Sequence, residues 1–274
     1  MTINCKTNLI DLNTPKVMGI LNITPDSFFD GGRYKSETAI LSQVEKMLTD
    51  GATFIDIGAY SSRPGAAHIS EDEELQRSIP IVTLLIKNFP EILISIDTFR
   101  SKIARECLDN GAALINDISA GKLDEQMLPT IAAHKVPYIM MHMKGTPKTM
   151  QQETNYNDLI PDILYYFSER IAAARALGII DIIADPGFGF AKTTPQNYEV
   201  LQNLALFKTL EVPILAGLSR KSMIYKVLET DAKNALNGTT ALNMIALNND
   251  TQILRVHDVK EAHECIKLHQ ELNT

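Results

Sequence analysis

Apolar residues along this chain fall into short, nearly unbroken runs separated by longer amphipathic stretches. The runs are residues 17–21, 53–58, 92–96, 113–115, 137–141, 179–184, 212–216 and 253–254. Continuous apolarity over such lengths, rather than strict alternation, is what strands covered on both faces by helices show. The intervening stretches carry helix signals. Ala39, Ile40, Val44, Met47 and Leu48 share one helical face, with Ser36 placed to cap that helix and Gly51 to stop it. Ser70 and Glu73 have the spacing of a capping box. Residues 158–177 and 232–247 are the longest amphipathic stretches, and 263–272 predicts a last helix. Residues 2–12 alternate loosely and predict a short hairpin closing one end of a core.

Eight strand–helix repeats in roughly 250 residues predict a closed (β/α)₈ barrel, a TIM barrel, preceded by a short N-terminal β-hairpin. A doubly wound open sheet is the runner-up, but no strand is followed by the GxGxxG of a dinucleotide fold. No linker, low-complexity tract or change of composition divides the chain, so residues 1–274 read as one domain. The 45% apolar content allows a sizeable core, and a net charge of −7 offers no basic stripe for nucleic acid. Cys5, Cys107 and Cys265 are odd in number and far apart, which supports neither a disulfide framework nor a zinc site and fits a reducing cytosol. The start of the chain lacks the basic-then-apolar pattern of a signal peptide. No run approaches the roughly 18 apolar residues of a spanning helix. The expectation is a soluble, cytoplasmic protein.

Candidate chemistry stands where the apolar runs stop. In order, the run ends carry Asn22, the Ser61-Ser62-Arg63 loop, Asp97, Asn116, His142, Asp185, Lys221, and Arg255 with His257. Any one of these alone fits a helix cap or a turn. In a parallel barrel, however, all strand ends converge on one face. Asp97, Asn116 and Asp185 suit a flat heterocycle rich in N–H and C=O groups, because a buried polar rim rejects ligands that leave it unpaired. Arg63, Arg255 and His257 suit a phosphate or pyrophosphate. Asn22 offers one neutral oxygen, which fits a Mg²⁺ ion held mostly by phosphate oxygens and water. Residues 219–222, Ser-Arg-Lys-Ser, predict a helix start whose N–H groups suit an anion such as a carboxylate.

These residues lie within blocks that resemble bacterial dihydropteroate synthases. The blocks are GILNITPDSFFDGG (19–32), DIGAYSSRPGA (56–66), SIDTFR (95–100), INDISA (115–120), MMHMKGTPKTMQ (140–151), IADPGFGFAKT (183–193), LAGLSRKS (215–222) and LRVHDV (254–259). The resemblance implies a homodimeric barrel that joins 6-hydroxymethyl-7,8-dihydropterin diphosphate to 4-aminobenzoate, yielding 7,8-dihydropteroate and pyrophosphate. It implies that Asp97, Asn116, Asp185 and Lys221 hold the pterin, with Met141, Phe190 and Gly217 lining its slot. Asn22, Arg63, Arg255 and His257 would hold the diphosphate and Mg²⁺. Phe28, Ser62, Pro64, Phe190, Lys221 and Ser222 would receive 4-aminobenzoate, its carboxylate lying at Ser222. The chain departs from the usual pattern twice. It reads YSSRPG where ESTRPG is common, so Tyr60 replaces a carboxylate and Ser62 lacks a methyl, and it reads FFD at 28–30 where FSD is commoner.

The implied chemistry is a dissociative substitution at the pterin methylene. Pyrophosphate leaves once its charge is neutralised, and the electron-rich ring shares the resulting positive charge. Asp97 is expected to face that charge, while the aromatic amine needs no strong base. Catalytic weight falls on Asp97, Lys221, Arg255 and Asn22. Loops 23–35 and 59–69 are long for strand–helix connections and are expected to fold over the site. A methyltetrahydrofolate-dependent methyltransferase is the alternative, but its substrate carries no diphosphate for Arg63 and Arg255. A lyase using Lys221 as a Schiff base and a catalytically silent pterin-binding protein are further rivals.

Overall fold

The computed structural model describes residues 1–6, 8–23, 29–30, 33–34, 37–60 and 68–272. An antiparallel hairpin of β1 (Thr2–Cys5) and β2 (Asn8–Asp11) leads into β3 (Lys16–Asn22), and a two-residue pair, β4 (Phe29–Asp30) with β5 (Arg33–Tyr34), follows. Strands and helices then alternate: α1 (Glu37–Thr49), β6 (Ala52–Gly58), α2 (Glu71–Asn88), β7 (Leu93–Asp97), α3 (Ser101–Asp109), β8 (Leu114–Asp117), α4 (Met127–His134), β9 (Tyr138–Met141) and α5 (Leu159–Ala176). The chain finishes with β10 (Ile182–Asp185), α6 (Thr194–Gln202), β11 (Leu215–Ala216), the single turn α7 (Ser222–Tyr225), α8 (Leu236–Asn248), β12 (Ile253–Val256) and α9 (Val259–Leu272).

The eight-stranded sheet is parallel throughout and runs β10-β9-β8-β7-β6-β3-β12-β11. A single parallel bridge between Ala184 and Ile214 joins its two ends, closing the predicted barrel. This seam is the thinnest part of the ring. Pro213 has no N–H to give, and its carbonyl accepts from Ala184 at 2.9 Å, so β11 shortens to two residues where 212–216 was expected.

Period-two alternation divides the strand side chains between two cores. Those facing outward pack under the helices in one continuous cluster. Those facing inward fill the barrel axis with Met18, Phe54, Leu93, Leu114, Ile139, Ile183, Leu215 and Ile253. The expected hairpin contributes Ile3 and Cys5 to this inner cluster and so plugs the end of the barrel away from the strand C-termini. The next inward positions along each strand therefore arrive at the opposite mouth.

Three local expectations are corrected. Residues 179–181 are not strand: Ile179 N–H bonds back to Ala174 at the end of α5, and Ile180 is 85% exposed. Ser70 caps α2 by accepting from Glu73 N–H, but the Glu73 carboxylate turns to Arg77 one helical turn on rather than completing the box. The stretch 232–247 becomes helical only at Leu236. The proposed cap Ser36 lies outside the described residues. No described helix is long and apolar enough to cross a membrane.

Candidate active site

Four strands deliver their last inward side chain to one mouth. Asn22 ends β3, Asp97 ends β7, Met141 ends β9 and Asp185 ends β10. Asn116 of β8, Arg255 of β12 and Gly217 just past β11 occupy equivalent inward positions. Gly58 ends β6 without a side chain, and a Cβ there would lie 3.6 Å from Asn22 Oδ1 and 3.8 Å from Asp97 Oδ2. Asn22 and Asp97 thus flank one open point on the rim.

Arg255 joins the set by reaching across the mouth. Its Nε donates to Asp56 Oδ2 at 2.6 Å, and one terminal nitrogen, Nη2, donates to Asp97 Oδ2 at 2.7 Å. Asn116 Nδ2 donates to the same Asp56 oxygen at 3.1 Å. Burial works against the Arg255 charge, but Asp56 and Asp97 outweigh it and hold the proton tighter than usual. The Asp97 carboxyl is pushed up to about 7, chiefly by burial, with Asp56, Glu74 and Asp117 adding like charge and Arg255 opposing.

Lys221 organises the other half. Its ammonium donates to the Phe188 carbonyl and lies 5.0 Å from the centre of the Phe190 ring, a cation–π distance. A Cβ on Gly217 would sit 3.7 Å from Lys221 Nζ and 4.0 Å from Asp185 Oδ2, so the absent side chain leaves a gap between cation and carboxylate. Burial lowers Lys221 to about 8 against the pull of Asp185. The buried Asp185 carboxyl is raised by desolvation, although Lys221 and the Gly187 N–H at 2.8 Å restrain the shift. Met141 packs with Ile118, Met143, Met150 and Ala191, against which Phe190 rests, to give an apolar wall beside these polar groups.

Two expected groups have other duties or partial ones. His142, one residue beyond the inward Met141, points outward and meets the Tyr166 ring edge-on at 4.9 Å. It is a buried neutral base rather than a mouth residue: burial and Lys192 hold it well below the usual histidine range. His257 remains at the rim, its Nδ1 3.0 Å from Ser219 Oγ, which ties the ends of β11 and β12 together. Ser222 opens the one-turn α7 directly after Lys221. Phe28, Ser62, Arg63 and Pro64 lie outside the described residues, as does most of the 23–35 loop and residues 61–67 of the second loop. Tyr60, where a carboxylate is common, packs edge-on to Phe99 at 5.2 Å, under the Arg100 guanidinium. Arg100 instead finds its carboxylate in buried Glu74 at 2.6 Å.

Lys192 and Asp56 are functional candidates not singled out from the sequence. Lys192 is 4% exposed and donates to Pro186 O, Gly187 O and Phe190 O at 2.7, 3.1 and 3.2 Å, with His142 Nδ1 3.1 Å away. It clamps the loop that carries Phe190 and the Asp185 anchor. Desolvation brings its own ammonium down to about 7.

The family described as "Pterin binding enzyme" matches residues 18–257. The dihydropteroate synthase of Escherichia coli (strain K12) is 44% identical over 262 residues, which cover 94% of this chain and 92% of the relative. A crystal structure of the Yersinia pestis dihydropteroate synthase in a sulfonamide drug complex superposes with a TM-score of 0.93 at 40% identity, covering 100% of this chain and 99% of that one. The Xanthomonas albilineans dihydropteroate synthase with 4-aminobenzoic acid gives a TM-score of 0.92 at 34% identity, with 100% and 98% covered. With the inward polar ring on the matched strands, these likenesses place the chain in the pterin-binding enzyme family, among its dihydropteroate synthases, which are transferases.

Proposed function

We propose that this mouth binds 6-hydroxymethyl-7,8-dihydropterin diphosphate and 4-aminobenzoate, joins them, and releases pyrophosphate. The observation that carries this is the adjacency of two chemically distinct halves. One is an acid–amide–ammonium set, Asp97, Asn116, Asp185 and Lys221, able to satisfy the edge of a pterin. The other is Arg255 on the next strand with His257 just past its end, able to hold a diphosphate. Met141, Phe190 and the gap at Gly217 give the flat ring its slot. Arg63 is proposed to join the diphosphate set. Phe28, Ser62, Pro64, Phe190, Lys221 and Ser222 are proposed to take 4-aminobenzoate, with its carboxylate beside Ser222.

Bond breaking precedes bond making in this proposal. The methylene C–O bond breaks, its electron pair departs with pyrophosphate, and Arg255 and His257 stabilise that charge. The dihydropterin ring shares the cation left behind, and Asp97, when ionised, faces it. The amine of 4-aminobenzoate then forms the C–N bond and loses a proton. At the Asn22 rim, one amide oxygen faces an open point above Gly58, with no cluster of three ligating side chains among the described residues. That donor set fits Mg²⁺ carried in by the diphosphate, with Asn22 as its protein ligand, and not a metal caged by protein. When bound, the ion would neutralise phosphate charge.

Further proposals attach to the same reading. Sulfonamides should compete with 4-aminobenzoate, as the complex of the Yersinia pestis relative suggests. We also propose a homodimer. Tyr165, Leu206, Val227, Leu228 and Ile245 leave large apolar side chains exposed on the elements from α5 to α8, and light scattering at a monomer's mass would refute it. Three buried free thiols fit the proposed cytoplasmic location. The direct test of function is incubation with both substrates and Mg²⁺ while following pyrophosphate. Release that requires the amine supports a synthase. Release without it indicates a hydrolase, and borohydride trapping of Lys221 with a carbonyl substrate would indicate a lyase.

A further inference from the structure

We infer that Asp56 is a positioning residue that holds the anion-binding Arg255 and the pterin-reading Asn116 through one carboxylate oxygen, so that both halves of the site are set by a group that touches neither substrate. The proposal rests on the synthase reading of the mouth. Asp56 sits on β6 between Phe54, which belongs to the inner core, and Gly58 at the rim. It is completely buried, whereas Asp97 and Arg255 each leave 18% of the side chain open. A carboxylate at that depth lies beneath the mouth, out of reach of a ligand seated on Asp97.

Its hydrogen bonds have an unusual distribution. Oδ2 accepts from Arg255 Nε at 2.6 Å and from Asn116 Nδ2 at 3.1 Å. Oδ1 is buried with no hydrogen-bond partner among the described residues. Among the described residues Asp56 therefore braces no backbone and caps no helix. Its side-chain hydrogen bonds among the described residues all run to two side chains proposed to bind different parts of one substrate. A carboxylate buried at that depth is costly unless it is paired with a cation, and Arg255 is the cation it meets. Fixing Nε also fixes the plane of the guanidinium. Fixing one amide hydrogen of Asn116 decides which way its oxygen and second hydrogen face.

Asp56 also acts on Asp97 from the neighbouring strand. The groups facing Asp97 are Arg255 from β12, Asp56 from β6, Glu74 from α2, Asp117 from β8 and Lys221 from the turn after β11. Neutralising Asp56 removes one like charge and leaves Asp97 as the only carboxylate bonded to Arg255. Both changes favour ionised Asp97.

The test is Asp56→Asn, which keeps the volume. The expected result is a fall of about 100-fold in kcat/KM for the pterin diphosphate, as for a misplacement of about 1 Å at a reacting centre. Its KM should rise while the KM for 4-aminobenzoate stays put. The acidic limb of kcat/KM against pH should move down by about one unit. Titration of the substrate's own phosphate is common to both enzymes, so the difference isolates the protein group. A loss confined to kcat with both KM values and the limb unchanged would indicate only a damaged fold and overturn the proposal, as would wild-type kinetics. Should the variant not fold, the wild-type enzyme gives a second readout. Its Arg255 Nε–H, followed by ¹⁵N NMR, should exchange slowly with solvent both free and with the pterin diphosphate bound, and fast exchange overturns the proposal. Failure of the wild type to release pyrophosphate would count against the synthase reading instead and leave the exchange measurement valid.

Discussion

Gly187→Ala should damage both stability and pterin binding, by an amount that follows from one contact. Gly187 has φ +71°, and a Cβ built there would lie 2.2 Å from the His142 carbonyl oxygen, with Met141 Cγ at 3.2 Å. The close atom is backbone at the end of a barrel strand, so no rotamer relieves the overlap. Real Cβ contacts essentially never fall below 3.0 Å, so the loop or the strand end must move by at least about 0.8 Å. The left-handed conformation adds about 1–2 kcal/mol for a residue with a Cβ. The displacement also strains the Gly187 N–H bond to Asp185, a charge-assisted contact worth about 1.5–3 kcal/mol. A loss of about 3–4 kcal/mol is expected, or roughly 6–16 °C in Tm at about 2–4 °C per kcal/mol. Urea unfolding should show a lower midpoint with the same slope, and calorimetry should show weaker pterin binding because Asp185 has lost its anchor. A change below about 1 kcal/mol with wild-type pterin affinity would refute the claim that this turn fixes Asp185.

Three further substitutions address the remaining groups. Asp97→Asn should abolish turnover while leaving the fold intact, and wild-type-like turnover would remove Asp97 from the mechanism; in the wild type, activity should fall as pH drops through about 7, where Asp97 takes up its proton. Arg255→Ala should weaken pyrophosphate binding, measured by product inhibition. It should also cost about 3–5 kcal/mol in urea unfolding, because fully buried Asp56 loses its counter-charge. Unchanged pyrophosphate affinity would undo the anion-clamp assignment. Lys192→Met tests the loop clamp through pH. Folding lowers Lys192 from 10.5 to about 7, so the unfolded chain binds more protons between those values. Its contribution to stability therefore rises as pH increases from about 7 to 10.5 and is constant below that window. The variant should lose that rise in urea midpoints compared at pH 7 and pH 9, and should bind pterin more weakly at both.

The barrel and most of its rim were readable because parallel strands covered by helices leave a continuous apolar run that must end in polar residues at the mouth. Asn22, Asp97 and Asp185 each close such a run and each ends a strand. Asp56 escaped notice because it interrupts its run without ending it. Only when the ring is closed does its inward position, two residues before the rim, mark it as part of the site. His142 failed in the opposite sense. It follows an inward residue, and one step along a strand turns the side chain to the other face. Lys192 was hidden because its three acceptors are carbonyls of its own loop, and no pattern of side chains announces that contact. The residues 179–181 looked like strand because they are apolar, but the end of α5 claims them.

The claim on which all else depends is that one mouth reads a pterin at one side and holds its diphosphate at the other. A crystal structure of the complex with a non-hydrolysable pterin diphosphate analogue tests it most directly. The pterin edge should bond to Asp97, Asn116, Asp185 and Lys221, with the diphosphate on Arg255 and His257. A pterin seated elsewhere, or a diphosphate that leaves Arg255 on Asp56 and Asp97 alone, would contradict it.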